Sequence, residues 1–263
     1  MVAFLAIILG LSLGSFANVL IDRVPDGKSI RGRSRCDRCR RTLRWWELVP
    51  VLSAFILRHR CPTCAGTIAF RNTAVELGCA GVLVAVLIRH GSAVTPQGVI
   101  EAFGLLSLGV LAIIDLRHGI VPDQISLPAI VIVAIARLVN SSLFPLHSSL
   151  PISSSLPSAL SSLAVSMVVG AGFFAVQRFV SRGRWVGDGD IRVGALMGAL
   201  FVTTHLVLAL AAAYIIGGAI AAALLLTRHV ERGSRIPLVP FLFAGSVVVV
   251  MWGEQIVEWY QIG

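Results

Sequence analysis

Asp115 and Asp190 are the residues whose setting most invites chemistry. Each sits at the end of an apolar stretch long enough to be buried in a bilayer. Asp115 follows Leu111-Ala112-Ile113-Ile114, and Asp190 is the last acid of Gly187-Asp188-Gly189-Asp190. A carboxylate is costly at membrane depth, so an acid placed there is by default a functional candidate. Two such acids on different helices can share one proton and activate one water, which is the minimum equipment of an aspartic protease. The ionised acid would deprotonate water while the protonated one polarises a scissile carbonyl. Such a pair titrates as a unit, so neither role attaches to one residue. Gly187 and Gly189 remove side chains beside Asp190, an arrangement expected to let an extended substrate backbone approach. Other readings stay open. Asp188 is also acidic, and the residues alone do not say which acid of the tetrad acts. Asp123, after Pro122, is expected to cap the following helix. Transporters also place acids in membranes, so a proton-coupled transporter using the same pair as a relay is the competing function.

The second constellation is made of sulfur. Cys36-Asp37-Arg38-Cys39 and Cys61-Pro62-Thr63-Cys64 form two CxxC pairs separated by 21 residues. Each pair can wrap two thiolates around one ion, and four complete a tetrahedral zinc site. A closed four-cysteine site leaves no open coordination position, so a structural zinc is expected rather than a catalytic one. Arg35, Arg38, Arg40 and Arg41 would offset the negative charge of four thiolates. Cys79 lies inside an apolar span and is expected to be an inert packing residue.

The elements that hold these groups follow from composition. Hydrophobic residues make up 56% of the chain and charged residues 13%, with a mean hydropathy of +0.87. A soluble domain carries about 25% charged residues, so the apolar surplus must face lipid. Eight candidate spans run roughly over 2–21, 73–88, 97–114, 124–139, 157–177, 193–206, 208–227 and 236–257. The sixth and seventh are expected to be separated by a tight turn near His205. The first stretch lacks a basic leader and a small-residue cleavage site, and reads as a retained helix rather than a signal peptide. The net charge of +9 does not point to nucleic acid, because the basic residues crowd between the spans. Segments 22–72, 115–123, 178–192 and 228–235 hold 20 of the 22 Lys and Arg, leaving Arg89 and Arg137 elsewhere. With the N-terminus outside, all four segments face the cytoplasm, as the positive-inside rule requires. That topology also puts Asp115 and Asp190 at one membrane face, and the cysteines in a reducing compartment where structural disulfides are rare.

The expected fold class is therefore an all-α polytopic membrane protein. It has about eight transmembrane helices and a small cytoplasmic zinc-ribbon insertion between the first and second. The expected divisions are a first helix over 1–21, a zinc-binding domain over 22–72 and a membrane-embedded domain over 73–263. Segment 140–158, rich in Ser, Pro and Leu, reads as a flexible external loop.

Several ordered motifs then resemble one family along nearly the whole chain. They are Gly14-Ser15-Phe16-Ala17-Asn18-Val19-Leu20, Arg33-Ser34-Arg35-Cys36 with the two CxxC pairs, and Trp45-Trp46-Glu47-Leu48-Val49-Pro50 between those pairs. Arg71-Asn72-Thr73-Ala74-Val75-Glu76, Ile114-Asp115 with Pro122-Asp123, and Gly187-Asp188-Gly189-Asp190-Ile191-Arg192 follow. Together they resemble the bacterial type IV prepilin peptidases, membrane aspartic proteases of the GxGD type. The resemblance implies that Asp115 and Asp190 are the catalytic pair, with Asp188 at the variable position. It implies zinc on Cys36, Cys39, Cys61 and Cys64. It further implies removal of the basic leader from prepilins and pseudopilins after a glycine, at the cytoplasmic face of the bacterial inner membrane. Such proteins serve type IV pili and type II secretion. Members with the four-cysteine domain commonly also methylate the new N-terminus using S-adenosylmethionine, although no cofactor-binding residues can be read from the sequence. The chain departs from the pattern at Arg192, where a lysine is usual, at Ala17 and at Asn72-Thr73. On this reading Glu47, Glu76, Asp22 and Asp26 are candidates to attract a basic leader or to support the zinc domain.

Overall fold

The computed structural model describes residues 1–36, 38–140, 156–228 and 236–262. Most of segment 140–158, with the loop expected there, lies outside the described residues, as do Asp37 and residues 229–235. Among the described residues the protein is all-helical apart from two isolated β-bridges. Six helices there are long and apolar enough to cross a membrane. The chain forms two compact units, Met1–Ala93 and Val94–Gly263.

The first unit pairs α1 (Val2–Arg23) with α3 (Phe70–Arg89), with the cysteine block and the short α2 (Leu52–Ile56) between them in sequence. Lipid tails are as apolar as leucine, so helices in a bilayer associate through close backbone approach at small residues. Gly10 and Gly14, one turn apart on α1, supply that approach. A Cβ on Gly10 would sit 2.5 Å from the Ala80 Cα, and one on Gly14 would sit 2.5 Å from the Glu76 Cα. Asn18, a further turn along, donates to the Asn72 carbonyl at 3.0 Å. Cys79 is buried in this seam.

The second unit holds α4 (Pro96–His118), α5 (Asp123–Val139), α6 (Leu156–Ser181), α7 (Asp188–Leu200), α8 (Thr203–Leu226) and α9 (Val239–Ile262). α4 starts where the Thr95 hydroxyl accepts the Gly98 N–H at 3.0 Å with Pro96 in the first turn, and stops at Gly119, whose φ of +64° suits glycine. α7 lies at the heart of the unit, with Val193, Leu196, Met197 and Ala199 fully buried. Its 13 residues span only about 20 Å at 1.5 Å per residue, short of a roughly 30 Å hydrocarbon core.

A half-length buried helix leaves carbonyls without partners at its inner end. Arg137 of α5 collects them, its Nη1 donating to the carbonyls of Gly198, Ala199 and Phe201 at 3.0, 3.3 and 2.9 Å. This relieves the need to continue the helix. Phe201 and Val202 adopt extended backbone, and α8 restarts at Thr203. The turn expected near His205 thus falls at 201–202, and the sixth candidate span becomes α7, Asp188–Leu200 rather than 193–206. Two further small-residue seams assemble the unit. Gly194 and Gly198 of α7 meet Gly170 and Ser166 of α6, while Gly245 of α9 meets Ala209 and Ala213 of α8.

Candidate active site and metal centre

The C-terminal end of α4 meets the first turns of α7 and α9. Asp115 stands one turn before the end of α4 and is buried. Its carboxylate accepts the Val239 N–H at 3.2 Å, one of the donors that the start of α9 leaves unpaired. Asp190, in the first turn of α7, accepts the Gly187 N–H at 2.9 Å. Each acid is thus fixed by the positive end of a helix dipole. The two lie close enough for Asp190 to act electrostatically on Asp115. In each carboxylate one oxygen is held by backbone. Two carboxylates oriented by backbone thus stand at neighbouring helix ends.

The neighbouring acids are engaged differently. Asp188 is exposed and pairs with Arg178 Nε of α6 at 2.9 Å. Asp123 lies in the first turn of α5, with Pro122 in the capping position, so its expected cap does not form. It pairs instead with Arg192 Nη1 at 2.6 Å. That contact ties the start of α5 to the turn that carries Asp190. The two glycines differ in their surroundings. A Cβ on Gly187 would meet only ordinary contacts, whereas one on Gly189 would lie 2.6 Å from Val121 Cβ. What Gly189 accommodates within the protein is therefore Val121, a β-branched side chain with little freedom to retreat.

Three groups near this site escape a reading of the sequence. Val121 and the Val239 amide carry no chemical signature. Tyr214 of α8 donates to the Gln177 side chain at 2.9 Å and lies within electrostatic range of Asp190; nothing in its apolar stretch marked it. Arg137, at the opposite end of α7 from Asp190, did carry a signal, as one of only two basic residues outside the four basic segments.

The cysteines come together. Their four Sγ atoms lie within 4.8 Å of one another, and Cys36 and Cys64 Sγ are 3.8 Å apart. Four sulfurs at the usual zinc distance of about 2.3 Å form a tetrahedron whose edge is about 3.8 Å, so the donor set fits zinc in chemistry and in size. Two loops of one design build it. Cys36 N–H donates to Arg41 O and Arg40 N–H returns to Cys36 O, both at 2.9 Å. Cys61 N–H donates to Gly66 O and Ala65 N–H returns to Cys61 O, at 2.8 and 2.9 Å. Each loop is closed by a bridge, Arg35 to Thr42 and Arg60 to Thr67. Arg40 and Ala65 hold the same left-handed turn position, with φ of 59° and 51°. That conformation costs a non-glycine residue about 1–2 kcal/mol.

Around the sulfurs, the Arg41 guanidinium reaches Cys61 Sγ at 3.9 Å and grips Glu47 through both nitrogens at 3.1 and 2.8 Å. Glu47 also accepts the Arg44 N–H at 2.6 Å. The Arg41 contact holds the Glu47 carboxyl below the usual range. Backbone N–H groups of Cys64 and Thr63, helped by Arg41, pull the Cys61 thiol downward, toward the thiolate that a metal needs. The other acids have partners as well: Glu76 accepts the Val51 N–H, Asp22 pairs with Arg71 and Asp26 with Lys28. Metal analysis of the purified protein is expected to find one zinc per chain, lost in the Cys36→Ser, Cys39→Ser double variant. Unchanged zinc content in that variant would remove the site.

Comparison with known proteins converges on one group. The Bacterial Peptidase A24 N-terminal domain matches residues 8–90, and the Type IV leader peptidase family matches residues 102–222. A prepilin leader peptidase/N-methyltransferase of Bacillus subtilis (strain 168) is 31% identical over 254 residues, covering 96% of this chain and 95% of that protein. Proteins of the same description from Pseudomonas putida and Pseudomonas aeruginosa are 29% and 28% identical. They cover 96% and 97% of this chain and 91% of each relative. No solved structure matches the chain.

Proposed function

This chain belongs to the type IV leader peptidase family, and from that premise we propose that it removes the basic leader from prepilin-like proteins. The bond cut is a Gly–X peptide bond at the cytoplasmic face of the inner membrane. The observation that carries this reading is the pairing of Asp115 with Asp190, two oriented carboxyls within electrostatic reach in an apolar bundle. In the step, the ionised member takes a proton from water as the water oxygen bonds to the glycine carbonyl carbon. The protonated member hydrogen-bonds the carbonyl oxygen. Collapse of the tetrahedral adduct breaks the C–N bond, and the departing amine leaves with the proton taken from water. Gly187, Gly189 and Arg192 support the turn that presents Asp190. A prepilin suits the position, with its apolar helix in lipid and its basic leader in the cytoplasm. Methylation of the newly exposed amine is the second half of the proposal. S-adenosylmethionine would supply the methyl group and the relatives' description motivates the step, with no residue of this chain assigned to it.

In this reading Cys36, Cys39, Cys61 and Cys64 hold a structural zinc that takes no part in hydrolysis. The N-terminus lies outside, and a reporter fused after Lys28 is expected to behave as cytoplasmic; periplasmic behaviour would reverse the topology. The test of function uses purified protein in lipid vesicles and a prepilin substrate followed by mass spectrometry. Loss of the leader after glycine is expected, with a methyl group on the new N-terminus if the second activity is present. An intact substrate, with solute flux driven by a proton gradient, would favour the relay transporter instead.

A further inference from the structure

The cysteine block carries an apolar face that the protein leaves bare. Leu52, Phe55 and Ile56 are spaced i, i+3 and i+4 on α2 and so share one side of the helix. They are 56%, 75% and 63% exposed, while Ala54 on the other side is buried. Trp45 and Phe70, both also exposed, extend the apolar surface, and the His59 ring packs on Phe70 with centroids 5.7 Å apart.

The depth of this face is set by a hydrogen bond. The Val51 N–H, at the start of α2, donates to Glu76 Oε2 at 2.8 Å. Glu76 is six residues into α3, a candidate span beginning at Phe70. Its Cα therefore lies about 9 Å along that helix at 1.5 Å per residue, and its side chain leans back toward the helix start. Glu76 is itself buried against Gly14 of α1, so the anchor cannot swing outward. The backbone at Val51 is thus pinned level with the first turns of a span, and α2 runs from there toward His59 beside Phe70. An amphipathic helix at this level belongs about 5–10 Å into the headgroup and acyl boundary.

We propose that α2 is an interfacial anchor. Leu52, Phe55 and Ile56 insert into the bilayer surface beside α3, and the block bearing the four cysteines is laid against anionic lipid headgroups. Charge selects this occupant. The exposed basic residues that flank the apolar face in sequence are Arg44, Arg58 and Arg60, and the buried Glu47 is neutralised by Arg41. A basic peptide would be repelled there, whereas anionic headgroups are attracted by about 1 kcal/mol per arginine. The inference does not rest on the peptidase reading, since lipid contact needs no cleavage.

The test places a photoreactive side chain, Phe55→p-benzoylphenylalanine, in the full-length protein reconstituted into nanodiscs of phosphatidylcholine with or without phosphatidylglycerol. Ile56→p-benzoylphenylalanine serves if the first variant does not retain zinc, and Ser53→p-benzoylphenylalanine is the control. Illumination is expected to give a lipid adduct at position 55 or 56 and little at 53. Phosphatidylglycerol should raise the yield by at least about fivefold, the factor for a single arginine near the surface. The Arg58→Glu, Arg60→Glu double variant should lose that dependence. Crosslinks to an added prepilin peptide or to a second copy of this chain would overturn the proposal. So would a probe that forms no lipid adduct, or a yield indifferent to phosphatidylglycerol.

Discussion

Asp190→Asn leaves the protein in the membrane with its zinc and lowers leader cleavage by about 10²–10⁴-fold, the usual contribution of one positioned acid–base group. Asparagine matches aspartate in shape, and its carbonyl oxygen can still accept the Gly187 N–H, so the first turn of α7 persists. What vanishes is a group able to hold or release the shared proton. Asp115→Asn should behave alike, with the Val239 N–H retained as its donor. Asp188→Asn is the discriminating control. It removes only an exposed pair with Arg178, worth at most about 1 kcal/mol, so cleavage should change by no more than about fivefold. Single-turnover cleavage in vesicles measures all three. Equal losses at positions 188 and 190 would mean that the acid tetrad acts otherwise than as described.

Gly194→Leu should be the most disruptive single substitution away from the carboxylates. Even a Cβ there would lie 2.3 Å from the Gly170 carbonyl oxygen and 2.6 Å from Phe174, which is fully buried. The backbones of α6 and α7 would have to part. Overpacking of this kind costs about 1–3 kcal/mol or more, and no hydrophobic force between helices in lipid offsets it. Because α7 begins at the acid tetrad, its displacement also moves Asp190, and a 1 Å misplacement can cost about 10²-fold in rate. Thermal unfolding in lipid should shift downward together with cleavage. Gly172→Leu on α6, two residues from Gly170, meets open space and should change neither. If Gly194→Leu unfolds like the parent, the seam is not what positions the turn.

The spans and the sulfur site were readable because each leaves a long or repeated trace. Eight apolar stretches correspond to the eight helices of 13 residues or more among the described residues, six of them long and apolar enough to cross a membrane, and two CxxC pairs converge as one cluster. The turn between α7 and α8 falls elsewhere than expected for a definite reason. Hydropathy runs unbroken from Val193 to Leu226 except near His205, so that residue looked like the break. The actual interruption depends on Arg137, 61–64 residues away, accepting the duty of the missing helical hydrogen bonds. The seams were legible in part. Gly10 with Gly14, and Gly194 with Gly198, have the spacing of close-packing pairs, yet their partners are small residues distant in sequence. Asp115 and Asp190 could be placed at one face by counting spans. The amides that orient them could not, since Val239 offers its backbone and any residue but proline would do the same.

The most direct test is a double-mutant cycle on single-turnover cleavage, comparing Asp115→Asn, Asp190→Asn and the variant carrying both. Groups that act as one unit are grossly non-additive. The double variant should therefore be no slower than the worse of the two single variants. Losses that multiply, or cleavage that survives removal of both acids, would contradict a shared site.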